Sequence, residues 1–258
     1  MNRVEFVAGV STWRRISLMS ADFIATARSD KRGKITTTVS RRPRYASYLI
    51  RHRFVPIPRL LRMIIILFNV RSWKSWLVLG LLLALEVHQC REPGYPVFNQ
   101  PLTSLAKVLS VLAAELCLLL LLIRTFIGRW HAAEHMAVAA YESGEAVDIE
   151  TIQRQNRVHD RCGGRFFLPF LLAFIAALLI ARRIRVNETV VMLIIMECFL
   201  WLDTLAGFAK LPAFAQASRL LQHYATTRPA GLQEVKTAHA ALIALLEAES
   251  GYSAAASA

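Results

Sequence analysis

Charge and hydrophobicity are segregated along this 258-residue chain. The long apolar runs all lie between residues 73 and 209, while residues 1–72 hold 15 Lys and Arg against three acids, Glu5, Asp22 and Asp30. Apolar runs of that length must leave water, and a basic flank suits the anionic cytosolic face of a bilayer. A net charge of +13 with 55% hydrophobic residues excludes a disordered tail protein, a disulfide-rich secreted domain and an ordinary soluble enzyme. The expected fold is an α-helical integral membrane protein with about four transmembrane helices and a small cytosolic α+β cap.

The cap is expected to draw on both ends of the chain. Residues 1–58 form a basic region in which Phe23–Ser29 and Lys34–Ser40 read as a β-hairpin, with Gly33 free to take a positive φ. Residues 59–127 hold an interfacial segment, Leu60–Phe68, and two spans, Trp73–Val87 and Leu105–Ile127. Residues 128–165 form a polar segment, and 166–209 the last two spans, Phe166–Ala181 and Thr189–Ala209. Residues 210–258 end in an amphipathic helix, Leu232–Glu249, with Val235, Ala238, Leu242, Leu245 and Leu246 on one face. The first 25 residues show no apolar core with a small-residue cleavage site, so insertion is expected to rely on the internal spans.

The positive-inside bias places both termini in the cytosol of a multi-pass plasma-membrane protein, although Arg182, Arg183 and Arg185 resist that orientation. Glu115, Glu197 and Asp203 fall inside the apolar runs and are expected to pair with Arg124, Arg129 or Arg182 near the interface or to sit protonated. The alternative is a proton or solute path lined by them. Cys90, Cys117 and Cys198 sit in or beside apolar segments as small hydrophobes. Cys162 alone lies among polar residues.

One pattern carries chemistry. Trp130-His131-Ala132-Ala133-Glu134-His135-Met136 runs on to Tyr141-Glu142 and ends at Ser143-Gly144, which predicts a helix of three or four turns. His131 and His135 are four apart and share a face, so they can hold one metal ion, with Glu134 beside His131. This is the H-x-x-E-H order of inverted zinc peptidases. Glu142 lies too far along the helix to coordinate the same ion. The third ligand is expected from His159-Asp160-Arg161-Cys162-Gly163, through His159 or Cys162. A zinc ion held there with an open position would make Glu134 a general base and Arg161 an oxyanion stabiliser. With all four ligands engaged, the site would be closed and structural.

The run His131–Glu142 followed by His159–Gly163 resembles the signature of the bacterial YqhQ-like family, approximately H-G-A-E-H-K, Y-E-x-G-E and H-P-R-C-G-T-S-F. Matching positions are His131, Glu134, His135, Tyr141, Glu142, Gly144, Glu145, His159, Arg161, Cys162, Gly163 and Phe166. The tail Leu221-Gln222…Thr226-Thr227-Arg228-Pro229 is similar to the family's ending. Asp160 stands in place of a proline, Gly164-Arg165 in place of Thr-Ser, and Ala132 and Met136 in place of Gly and Lys. Gly9-Val10-Ser11-Thr12 is a remnant of the family's N-terminal G-V-M-M-R element. The family consists of uncharacterised polytopic membrane proteins described as predicted metal-dependent enzymes, so the resemblance implies a membrane location and a metal site.

The expected function is metal-dependent hydrolysis at the cytosolic membrane interface, acting on a peptide or lipid-derived substrate. The alternative is a non-catalytic membrane scaffold or assembly partner whose metal site is structural. The expected partners are an anionic leaflet and a membrane protein or second copy. Positive-inside bias explains the charge more simply than nucleic-acid binding.

Overall fold

The computed structural model describes residues 6, 8–52, 54–68, 102–160, 162–184, 188–207 and 210–256. The expected span Trp73–Val87, together with Cys90 and Arg161, lies outside the described residues. Four antiparallel strands, β1 (Ala8–Thr12), β2 (Arg15–Met19), β3 (Phe23–Ser29) and β4 (Ile35–Arg41), form one sheet in sequence order. β3 and β4 make the expected hairpin, and Gly33 takes φ +83° in its turn. Asp30 fastens that turn, its Oδ1 accepting the N–H groups of Arg32 and Lys34 at 2.8 Å each.

Register decides what faces the core. Gly9 and Ser11 of β1 lie opposite Leu18 and Ile16 of β2, which in turn lie opposite Ala25 and Ala27 of β3. With a period of two, these six residues share one face. Ile16, Leu18, Ala25 and Ala27 are fully buried under two helices, α4 (Gly128–Ser143) and α9 (Leu232–Ala256). α4 contributes Trp130, Ala133, Ala137 and Ala140, while α9 contributes Val235, Ala238, Leu242 and Leu245. Alanines on both surfaces let the helix backbones sit close to the sheet, so few large side chains fill the space.

The remaining helices are α1 (Arg44–Arg51), α2 (Arg59–Phe68), α3 (Leu102–Leu122), α5 (Ile149–Arg154), α6 (Phe167–Ile184), α7 (Glu188–Ala206) and α8 (Pro212–Leu221). α3 runs into α4 through a π-helical segment, Ile123–Ile127, and α8 ends in another, Gln222–Thr226. The Arg124 guanidinium ties the two segments, donating to the carbonyls of His223, Tyr224 and Thr227. π-segments widen a helix and re-aim the side chains that follow.

The four-span architecture is corrected by this fold. Among the described residues one helix, Ala113–Ser143, is long and apolar enough to cross a membrane, and the apolar stretch Gly163–Ala177 is shorter. A span needs about 20 apolar residues. The molecule is instead a mixed fold in which helices cover an antiparallel sheet. The acids of the later apolar runs explain part of the error. Glu197 accepts the backbone N–H of Arg59 (2.6 Å) and Leu60 (3.0 Å), capping α2, whose Arg59 guanidinium lies 3.9 Å from the Trp201 ring centroid. Asp203 pairs with Arg165 at 3.7 Å. These partners differ from the expected Arg124, Arg129 and Arg182, and they dock α2 and the turn before α6 onto α7.

Candidate metal centre

α4 is the spine of the site. Gly144 ends it in the left-handed conformation (φ +80°), as the Ser143-Gly144 pair predicts. One turn apart on its face, the rings of His131 and His135 lie with centroids 4.2 Å apart. Cys162 heads a 3₁₀ turn, Gly163–Phe166, and its Sγ accepts the Gly164 N–H at 3.4 Å. Sγ also lies 3.5 Å from His131 Nε2. One ligand atom each from His131, His135 and Cys162 fall within 4.8 Å of one another.

The other side of each imidazole is engaged. His135 Nδ1–H donates to the Arg157 carbonyl at 2.8 Å. A carbonyl only accepts, so the Nδ1 proton is fixed and Nε2 of the neutral ring carries the free lone pair. His131 Nδ1–H faces Glu134 Oε2 at 3.4 Å. Glu134 is 5% exposed and takes a further hydrogen bond from the Ser11 hydroxyl of β1. Gly9 makes that approach possible, since a Cβ there would lie 1.9 Å from Glu134 Oε1. The site thus joins β1, α4 and the loop before α6.

Electrostatics couple the three groups. Burial works against ionising Glu134, but the hydrogen bond and charge of His131 outweigh it and hold the carboxyl below its ordinary range. Burial would lower the His131 imidazolium, yet hydrogen bonds to Cys162 and Glu134 raise it to about 10. Burial pushes the Cys162 thiol up, and hydrogen bonds to His131 and His135 bring it down to about 6.

Of the sequence candidates, the structure brings together His131, Glu134, His135 and Cys162. His159 turns elsewhere, its Nε2 meeting Glu142 Oε2 at 3.1 Å while its ring centroid stays 5.9 Å from that of His135. The loop carrying Cys162 is held by α8 and the segment after it. The buried Gln222 accepts the His159 N–H through Oε1 (2.9 Å), and Arg219 binds Asp160 through two contacts of 2.9 and 3.0 Å. Arg219 keeps the Asp160 carboxyl below its ordinary range. Thr227 Oγ1–H in turn donates to the Gln222 carbonyl at 2.6 Å, so the Leu221–Pro229 tail is a brace for the site. Ser11, Gly9 and the Arg157 carbonyl were not singled out by sequence as site residues. The Gly9–Thr12 remnant of the N-terminal element points toward Gly9 and Ser11 but not toward Arg157.

Residues 104–248 match a family model described as "Protein of unknown function (DUF1385)". A relative, the uncharacterized protein YqhQ of Bacillus subtilis (strain 168), is 40% identical over 40 residues, or 16% of this chain and 13% of the relative. The aligned stretch therefore spans about an eighth of that relative's length. No solved structure matches the chain.

Proposed function

The chain belongs to the DUF1385 family of proteins of unknown function, and from the geometry of its site we propose that it is a metal-dependent hydrolase. His131, His135 and Cys162 hold one zinc ion or another divalent transition metal. The observation that carries this reading is the placement of the donors. The 3.5 Å between Cys162 Sγ and His131 Nε2 compares with about 3.6 Å for the N···S edge of a tetrahedral site built from ordinary Zn–N and Zn–S lengths. The donor chemistry fits as well, since two imidazoles and a thiolate suit zinc. Metal-ligating histidines also usually donate their second N–H to a carboxylate or a carbonyl, as His131 and His135 do here.

Three protein donors leave a fourth position open, which separates catalytic zinc sites from closed structural ones. Bound zinc supplies Lewis-acid polarisation and acidified water. The protein's part is orientation and access. Glu134, steadied by Ser11, fixes the His131 ring, and the Arg157 carbonyl fixes His135. The His131 side chain is 21% exposed, which supports approach of a substrate from that side. Glu134 acts from the Nδ1 side of His131 as an orienting residue, and Arg161 as oxyanion stabiliser belongs to the same proposal. The substrate in this reading is a peptide or is lipid-derived. Leu118, Leu119, Leu121, Leu122 and Phe126 are exposed above α4, and a contiguous apolar surface of this kind supports attachment to a membrane.

Cobalt substitution tests the centre. Tetrahedral d–d bands with a thiolate-to-cobalt charge-transfer band are expected, the latter absent in Cys162→Ala. Glu134→Gln should weaken metal binding by about 10–100-fold, the usual cost of losing an outer-shell partner. Octahedral cobalt spectra in both proteins would contradict the donor set. A second reading rests on one observation: Sγ to Nε2 at 3.5 Å and Nδ1 to Oε2 at 3.4 Å is the order of a nucleophile, base and orienting carboxylate. Hydrolysis that survives exhaustive chelation and stops on alkylation of Cys162 would favour a thiol nucleophile. Hydrolysis lost on chelation and restored by zinc supports the metal.

A further inference from the structure

We propose that the cavity between the β1–β2 turn and the base of α4 is a binding site for a phosphate ester, separate from the metal centre. The cavity encloses about 340 Å³ and is lined by Trp13 and Arg14 of the turn, Lys31 of the β3–β4 turn, Arg129 of α4, and Arg228. Two carboxylates also line it, but both are occupied by backbone. Asp30 Oδ1 accepts Arg32 N–H and Lys34 N–H, and Glu234 Oε2 accepts Gly231 N–H at 3.0 Å. Arg14, Lys31, Arg129 and Arg228 form no ion pair among the described residues, so the lining sets four cations against two carboxylates and is net positive.

Arg14 carries the argument further. It has φ +59°, and it is the non-glycine residue with a positive φ among the described residues. Its two-residue turn joins Thr12 to Arg15, where glycine or asparagine would be relaxed. Strain kept at such a position points to a use for the side chain. Its Nη1 is buried and has no hydrogen-bond partner. Guanidinium groups match the oxygens of a phosphate through paired N–H donors.

The surroundings indicate how the phosphate is carried. Thr125 and Phe126 form the upper wall, the Trp13 ring meets the Phe126 ring edge-on at 5.9 Å, and the exposed leucines of α3 begin one turn above. A phosphate at that level suits the headgroup of an anionic lipid with its chains along α3, an assignment of source that rests on the membrane attachment proposed above. The phosphate site itself does not depend on it.

The test is a calorimetric titration of the full chain in neutral detergent with short-chain phosphatidylglycerol, glycerol 3-phosphate and inorganic phosphate. Saturable binding is expected, weakened at least about tenfold, or about 1.4 kcal/mol, in Arg14→Gly and in Arg129→Ala. Arg14→Gly relaxes the backbone, so its Tm should match or exceed that of the parent, and its zinc content should be unchanged. A preference for the lipid supports both site and source. Equal binding of all three probes, still lost in the variants, upholds the site and removes the lipid. No binding of any probe, or binding that Arg14→Gly and Arg129→Ala leave intact, overturns the proposal.

Discussion

Gly9 has no side chain, and Glu134 occupies the space a methyl group would fill. Gly9→Ala must therefore push the carboxylate off Ser11 and His131 or distort β1. The expected cost is about 1–3 kcal/mol, the range for overpacking a close contact, together with weaker zinc binding, both read from denaturation and metal titration. A neutral effect on both would show that Glu134 is free to move. His131 and His135 were legible because i,i+4 spacing on a helix leaves little geometric freedom. The third member of the cluster was not, because His159 and Cys162 are both good ligand types three residues apart. The choice is made by contacts distant in sequence: Gln222 holds His159 N–H, and Glu142 takes its ring. His159→Ala should leave zinc content unchanged, whereas Cys162→Ala should abolish it.

At the scale of elements, α9 was readable from its apolar stripe, and its residues Val235, Ala238, Leu242 and Leu245 are fully buried against the sheet and α4. Leu242→Ala is expected to lower stability by about 2–5 kcal/mol, measured by chemical denaturation with the slope checked for two-state behaviour. A loss under 1 kcal/mol would mean that α9 does not close the core. The β3–β4 hairpin was legible through Gly33 and its threonines. β1 and β2 were not, since the turn between them is Trp13-Arg14, with neither glycine nor asparagine to mark it. Sequence reads the later apolar runs as membrane spans because it cannot show that Glu197 caps another helix and Asp203 meets Arg165.

For the whole molecule, the same 55% hydrophobic content that suggested four spans is partly used to bury one face of a sheet. Alanine-rich helices such as α4 raise that fraction without being lipid-facing. Exposed apolar side chains remain on the helix that continues into α4 and also on α6 and α7. The YqhQ-like resemblance read from residues 131–166 agrees with the family match. If α3 attaches the protein to a membrane, the full chain should resist alkaline extraction from the membrane fraction. Serines in place of Leu118, Leu119, Leu121 and Leu122 should then release it, with zinc content retained. Release of the parent chain by the same wash would remove membrane attachment and leave the metal centre untouched.

Everything proposed for catalysis turns on whether His131, His135 and Cys162 hold metal. The most direct measurement is elemental analysis of the purified chain beside a His131→Ala/His135→Ala double variant of verified fold. About one equivalent of zinc or a similar ion per chain, absent from the variant, is the expected result. No metal in either protein, even after reconstitution with zinc, would contradict the account.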